Sequence, residues 1–207
     1  MKSLAILGAS GHGKVIADTA EVCGWDNIVF FDDEWPTIHS NGPWVIEGDS
    51  QHLLQRRSEF NGVLVAIGNN KVRHARLMEL TSAGASLATL VHPGATVSRY
   101  AELGLGSVVF AGAVINAGVR IGLGAIINTA CSVDHDCILG EAVHISPGAR
   151  LAGGVGVGDR SWIGIGAAVR QLIKIGDDVV VGACAAVVRN VPDGVTVIGV
   201  PAAPIKI

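Results

Sequence analysis

The sequence predicts two structural parts, a small α/β domain over residues 1–88 followed by a parallel β-helix over residues 89–207. Three observations carry this expectation. Up to about residue 91, short apolar segments alternate with segments of helical pattern, as in β-α-β units built around a parallel sheet. From Val91 onward an aliphatic residue returns at every sixth position. The composition suits repetition of small units, because 49% of residues are hydrophobic while only 4% are aromatic, and 28 are glycine.

In the first part, Ser3–Leu7, Ile28–Phe31, Val63–Ile67 and Leu87–Val91 are the candidate strands. Lys14–Val22 and Lys71–Ala83 carry the helical pattern, and Ser50–Arg57 adds a weaker turn of helix.

In the second part, Val91, Val97, Leu103 and Val109 begin a column of seventeen Val, Ile or Leu residues that runs in steps of six to Val187. Those three types supply 61 of the 207 residues, so chance would produce the column with odds on the order of 10⁻⁸. Four places further along each row stand small residues such as Ala113, Cys131 and Ala149, and glycine often follows the aliphatic residue directly, as at Gly104, Gly122, Gly140 and Gly158. A six-residue period fits a short strand plus a tight corner where glycine or asparagine accepts unusual backbone angles. Three such units close a triangular coil, and seventeen rows make between five and six coils. Stacked coils hydrogen-bond to their neighbours around a bore filled by the aliphatic and small side chains.

Fifteen basic against eighteen acidic residues leave a net charge of −3, which disfavours nucleic acid as a partner. The apolar run Leu4–Leu7 is cut by Gly8, below the roughly 7 residues of a signal-peptide core. No stretch approaches the roughly 18 uninterrupted apolar residues of a membrane span. A soluble, cytoplasmic chain is expected. Cys23, Cys131, Cys137 and Cys184 form no C-x-x-C pair, which argues against a zinc knuckle or a redox site. Cys131 near His135 is the one candidate thiol nucleophile, and nothing else around it supports that role.

Three loops of the first part carry candidate binding groups. Gly8-Ala9-Ser10-Gly11-His12-Gly13 follows the first strand and opens the first helix, where backbone amides and the positive helix end suit a diphosphate. Its spacing is G-x-x-G-x-G, not the dinucleotide fingerprint G-x-G-x-x-G, and a nicotinamide enzyme is disfavoured. Asp32-Asp33 ends the second strand, and Gly68-Asn69-Asn70 follows the third at the same carboxyl edge, where ligands of open α/β sheets bind. In the coils, Asp134-His135-Asp136 offers a general base with carboxylates on both sides. An amine attacking a thioester must lose a proton, and a histidine with a pKa near 6.5 can take it if a carboxylate orients the ring.

With these loops, the segment Asn128 to Cys137 and the closing Gly199-Val200-Pro201-Ala202, the chain resembles the NeuD/PglD family of bacterial sugar acyltransferases over nearly its whole length. The pattern Leu/Ile/Val-Gly-x-x-small-x likewise resembles the hexapeptide signature of left-handed β-helices, an exception to the usual crossover hand. The resemblance implies a Rossmann-like domain that binds a nucleotide-linked amino sugar and a left-handed β-helix that binds acetyl-CoA. It implies N-acetylation of the C4 amine of a UDP-linked 4-amino-4,6-dideoxy sugar, with O-acetylation of sialic acid as the NeuD-type alternative. Where this family has Glu-His-Glu, the chain has Asp-His-Asp, with the same charge on shorter side chains. Glu34 stands near where the PglD pattern supplies a lysine for phosphate, and Lys14 is the nearest replacement.

His135 is the expected base, with Asp136 or Asp134 as its orienting carboxylate. One coil on, Gly153 is placed beside His135, where its amide can polarise the thioester carbonyl. Carried over by resemblance, Asn128 partners the sugar amine, His144 contacts the acyl carrier, and Ile165, Gly182 and Ala183 line the acetyl-CoA groove. Ser10, Gly11, His12, Asp32, Asp33 and Gly68 are the expected acceptor-binding residues. His144 lies half a coil from His135, so the two can share a site only between subunits. The family resemblance implies a homotrimer with sites between its prisms. No metal is expected, since the spacing of His92, His135 and His144 does not match a β-helical carbonic anhydrase, the less favoured alternative.

Overall fold

The computed structural model describes residues 1–205, which fall into two compact units, Met1–Pro93 and Gly94 onward. Leu90 is buried, and the Cys23 thiol reaches the Val91 carbonyl at 3.2 Å.

The first unit holds a three-stranded parallel sheet in which β1 (Ser3–Leu7) lies between β2 (Asn27–Phe31) and β5 (Gly62–Val65). Strands β3 (Ser40–Asn41) and β4 (Trp44–Val45) form a small antiparallel hairpin after β2 that the sequence patterning did not reveal. Leu4, Ala5 and Ile6 are fully buried, as expected of a central strand covered on both faces. Helix α1 (Gly11–Val22) begins three residues earlier than the pattern suggests, because the glycine turn itself forms its first turn with Ser10 as N-cap. It buries Gly13, Ile16, Ala17 and Ala20, a stripe at helical spacing. Helix α2 (Ser50–Arg56) passes into a 3-10 turn at Arg57–Glu59, and α3 (Asn70–Ser82) is capped by the Asn69 carbonyl oxygen Oδ1, which accepts from the Val72 amide at 3.1 Å. Because the chain passes from β1 to β2 on one side and then crosses back from β2 to β5 on the other, the carboxyl edge between β1 and β5 is a switch point of the sheet. Gly8 sits there against β5; a Cβ on it would lie 2.9 Å from the Ala66 carbonyl oxygen.

The second unit is a left-handed β-helix of about 6 turns. Its three faces are sheets of short strands, nearly all parallel and of two residues, and the pairing steps by eighteen residues, as in Val114↔Ser132, Arg120↔Ile138 and Ile126↔His144, until the last turn, where Val180 pairs with Thr196. The aliphatic column from Val109 to Val187 points into the bore and is at most 5% exposed, with Ala113, Cys131, Cys137, Ala149 and Ala167 packed between its members at 0%. Each buried aliphatic side chain contributes roughly 1.5–3 kcal/mol, so the column is the main source of cohesion. Ser161 enters this bore with its hydroxyl bonded across the coil, donating to the Gly176 carbonyl at 2.7 Å and accepting from the Val179 amide at 2.9 Å.

The glycines directly after the aliphatic column are not the residues with unusual backbone angles. Positive φ recurs every six residues two places further on, at Gly106, Gly112, Gly118, Gly124, Ala130, Asp136 and so on to Cys184. The glycines of the expected column instead permit close approach of the next coil. A Cβ on Gly158 would lie 2.5 Å from the Gly176 carbonyl carbon and 2.6 Å from the Asp177 nitrogen. These gaps let aspartates stack along one corner, where Asp159, Asp177 and Asp193 each accept from the backbone amide one coil earlier at 2.8–2.9 Å. Arg160 closes the ladder with two bonds to Asp178 at 3.0 and 3.1 Å.

Among the described residues, no helix is long and apolar enough to cross a membrane. The packing of the coils leads to a direct expectation. Gly158→Ala should lower stability by about 2–3 kcal/mol, because the obstructing atoms are backbone, whereas Gly156→Ala, with nothing within 4 Å of the added carbon, should change it by less than about 0.5 kcal/mol. Urea titrations of the two variants followed by circular dichroism measure the difference.

Candidate active site

His135 stands on the corner after strand Ser132–Val133, with its side chain 64% exposed. Its Nδ1 lies 2.8 Å from Asp136 Oδ2. A carboxylate only accepts, so Nδ1 carries the proton and Nε2 presents a lone pair outward. Asp134 does a different job; its Oδ1 accepts from the His135 backbone amide at 2.8 Å and from Asn116 Nδ2 at 2.9 Å. Asp136 is therefore the orienting carboxylate, and Asp134 braces the corner. Asp136 reaches the ring from a left-handed backbone conformation, φ 60°, into space left by Gly118, where a Cβ would lie 2.6 Å from Asp136 Oδ1. The hydrogen bond that His135 donates to Asp136, with the nearby charge of Asp134, raises the His135 pKa above its ordinary value. Asp134 is held below the usual carboxylate range by its hydrogen bonds to the His135 amide and Asn116.

The imidazole lies over Gly153, where a Cβ would fall 2.5 Å from Nε2. His135, Asp136, Gly153, Gly154, Gln171 and Leu172 line a cavity of about 310 Å³. The Cys131 thiol is fully buried and its pKa is pushed up to about 12 by burial, so it is no nucleophile.

The groove predicted to hold the acyl carrier lies elsewhere on the prism. His144 is on a different face from the His135 corner, as their half-coil separation requires. Together with Ser146, Trp162, Ile165, Gly182 and Ala183, it lines an apolar groove of about 420 Å³. Trp162 was missed in the sequence, although it stands one coil after His144; its ring stacks on the imidazole at 5.0 Å and 21°, and its Nε1 donates to Ser146 Oγ at 2.6 Å. Asn128 belongs with His144 and does not line the His135 cavity. The Thr129 amide and hydroxyl donate to Asn128 Oδ1 at 2.8 and 3.3 Å. Asn128 Nδ2 is thereby turned toward His144 Nε2 at 3.1 Å, so His144 accepts there and carries its proton on Nδ1.

In the first unit, the three loops do gather at the carboxyl edge of the sheet. Ser10, Gly11 and His12 form the N-terminal turn of α1, whose first amides have no acceptor within the helix. Asp32 binds this turn directly, accepting from the Ala9 amide at 2.6 Å and from the Glu34 amide at 2.9 Å. Asp33, whose side chain is 59% exposed, also makes structural contacts. It accepts from the Ser50 amide at 3.0 Å and pairs with Arg76 at 3.0 Å, which fastens α2 and α3 to the strand end. His12 is largely buried, and burial with the nearby Arg73 charge depresses its pKa to about 4, so its ring is neutral near pH 7. Arg73, 1% exposed and unnoticed in the sequence, donates to the carbonyls of Ile67 and Gly68 at 2.9 and 3.3 Å and fixes the Gly68 loop. Among the described residues, no group of three His, Cys, Asp or Glu side chains is placed to hold a metal ion.

Residues 3–80 match the PglD N-terminal domain. The acetyltransferase domain of PglB from Neisseria gonorrhoeae FA1090, solved in complex with acetyl coenzyme A, is similar with a TM-score of 0.95 and 44% identity, covering 99% of each chain. PerB from Caulobacter crescentus, solved in complex with CoA and GDP-perosamine, is similar with a TM-score of 0.93 and 40% identity over 100% of this chain and 98% of that one. UDP-N-acetylbacillosamine N-acetyltransferase from Bacillus subtilis (strain 168) is 39% identical over 110 residues, which span 52% of this chain and half the length of that curated relative. With two solved relatives at 40% identity or more over nearly their full length, the chain belongs to the NeuD/PglD family of hexapeptide-repeat sugar acyltransferases.

Proposed function

We propose that this chain transfers the acetyl group of acetyl-CoA to the C4 amine of a UDP-linked 4-amino-4,6-dideoxy sugar, in a cytoplasmic homotrimer with sites between subunits. The observation that carries the proposal is the His135–Asp136 pair held over Gly153. Asp136 keeps the proton of His135 on Nδ1, so Nε2 accepts the proton of the amine as its nitrogen attacks the thioester carbonyl. The Gly153 amide, under the imidazole, is the backbone donor assigned to the carbonyl oxygen as negative charge builds there. The carbon–sulfur bond breaks as the carbon–nitrogen bond forms, and the imidazolium returns its proton to the departing thiolate. Oxygen and sulfur nucleophiles from the protein are not needed, which fits the inert state of Cys131.

The apolar groove from His144 to Ala183 fits the pantetheine arm of acetyl-CoA. The turn Ser10–His12, braced by Asp32, suits the diphosphate of the acceptor, and Gly68 shapes the other wall of that crevice. Within one prism His135 and His144 lie on different faces, so a groove from one subunit meeting the His135 corner of another assembles both halves. GDP is the alternative nucleotide, since one relative was solved with GDP-perosamine and another is named for a UDP sugar.

A panel of nucleotide-linked amino sugars supplied with acetyl-CoA, with release of free thiol as readout, tests the reaction. His135→Ala should lower turnover by roughly 10²- to 10⁴-fold while acetyl-CoA still binds; retention of activity within a few-fold would remove His135 from the role of base. The raised pKa of His135 sets the sign of the pH dependence. The base is active only when neutral, so kcat/KM should fall as pH drops through a value above about 6.5. Asp136→Asn should move that acid limb downward and cost roughly 10- to 100-fold in turnover, which a pH series on both proteins would show. Gly11→Val should fold, because an added carbon meets nothing within 4 Å, yet crowd the diphosphate. The expected result by calorimetry is weakened nucleotide-sugar binding with acetyl-CoA affinity near wild type; loss of the coenzyme with retention of the sugar would reverse the roles of the two units.

A further inference from the structure

Leu172 is costly to the fold in two respects. Its backbone is left-handed, φ 62°, and its side chain is 74% exposed. The other non-glycine residues in this conformation among the described residues are small or polar: alanines, a cysteine, two aspartates and an arginine. Asp136 is accounted for by His135, and Arg160 and Asp178 by each other. A large branched aliphatic side chain gains nothing from such a position within its own coil.

Its surroundings supply a reason. Leu172 and His135 lean over consecutive residues from the coils on either side. The imidazole covers Gly153, whereas a Cβ on Gly154 would lie 2.8 Å from Leu172 Cδ2. The Leu172 amide donates to the Gly153 carbonyl at 3.0 Å, which fixes the corner against that glycine pair. Both side chains line the same cavity of about 310 Å³. An acyl carbonyl held at the Gly153 amide therefore has the base on one flank and an isobutyl group on the other. The amine must stand on the His135 flank, because His135 takes its proton. What faces Leu172 is then the remainder of the acyl group.

We propose that Leu172 is a specificity-determining residue that limits the transferred acyl group to two carbons, by closing the end of the Gly153–Gly154 platform away from His135. Leu172 has this role only if the chain is the acyltransferase proposed above. The chemistry is unchanged: the acyl carbon leaves sulfur and joins the amine nitrogen, whose proton passes to His135.

The test is a chain-length series of acetyl-, propionyl- and butyryl-CoA with wild type, Leu172→Gly, Leu172→Asn and Leu172→Met. Glycine and asparagine accept the left-handed backbone, so those variants keep the fold, and methionine conserves volume. In wild type and Leu172→Met, kcat/KM for butyryl-CoA should fall at least roughly 20-fold below acetyl-CoA, given the 10- to 200-fold that a methylene is worth in a filled pocket. In Leu172→Gly and Leu172→Asn the ratio should narrow to within about threefold. The same steep profile in Leu172→Gly as in wild type overturns the proposal. So does an unchanged profile accompanied by altered preference between 6-deoxy and 6-hydroxyl acceptors, which would place the wall against the sugar. Dissociation of a wild-type oligomer in Leu172→Gly, again with an unchanged profile, would make Leu172 a subunit contact and equally overturn it. Failure of the wild-type protein to acylate any amino sugar defeats the underlying acyltransfer reaction and this role with it, and is visible before any variant is compared.

Discussion

The pairing of each coil with the next in a register of eighteen residues is the constraint on which the second unit depends. Ser132 pairs with Val114 on one side and Arg150 on the other, and Arg150 continues to Ala168. Backbone hydrogen bonds between coils leave little freedom to slip, because a slip by one residue would turn Val133 or Ile145 out of the bore. That register stacks equivalent corners. It places Gly153 under His135, Trp162 beside His144 and Asp177 over Asp159. The close spacing also demands glycine wherever a Cβ would strike the neighbouring coil, as at Gly158 and Gly176. The site is thus a by-product of the scaffold's period, set on tight corners between paired strands.

Electrostatic environment separates the residues that share a chemical type. His135 is exposed, and its hydrogen bond to Asp136 with the charge of Asp134 outweighs a smaller desolvation effect, so its pKa is raised. His12 is largely buried beside a cation, and its pKa falls to about 4. The one is suited to proton transfer near neutral pH, while the other is held as a neutral ring. The four cysteines are all unpaired thiols; burial raises the pKa of Cys23, Cys137 and Cys131, and pushes that of Cys131 up to about 12. Asp134 and Asp136 flank one histidine with the same charge, yet their backbone angles send one carboxylate to the main chain and the other to the ring.

Much of this was legible in the amino-acid order because the determinants are periodic or local. The aliphatic column needs only a count of six, and the stacking of Gly153 on His135 needs only an addition of eighteen. Strand Ser3–Leu7 and the helical stretch ending at Val22 follow from short apolar runs and helical spacing. Where patterns failed, the competing term was non-local. Glycines such as Gly104 and Gly158 look like corner residues but serve close coil contact, since the turn geometry falls two places later. Trp162 was open to the same addition of eighteen from His144, though no chemical type flagged it.

The sequence by itself determined the six-residue architecture, the small α/β unit before it, and the presence of a histidine between two carboxylates. Each of these is written in spacing and residue type, which a linear chain carries. The tertiary structure decided which carboxylate orients His135, that Asp33 ties α2 and Arg76 to the strand end, and that Asn128 belongs with His144. It also brought Leu172 to the cavity of His135 across thirty-seven positions of chain. Those choices depend on where a side chain points once its backbone angle and its neighbours in adjacent coils are set, and no pattern of residue types along the chain specifies that direction.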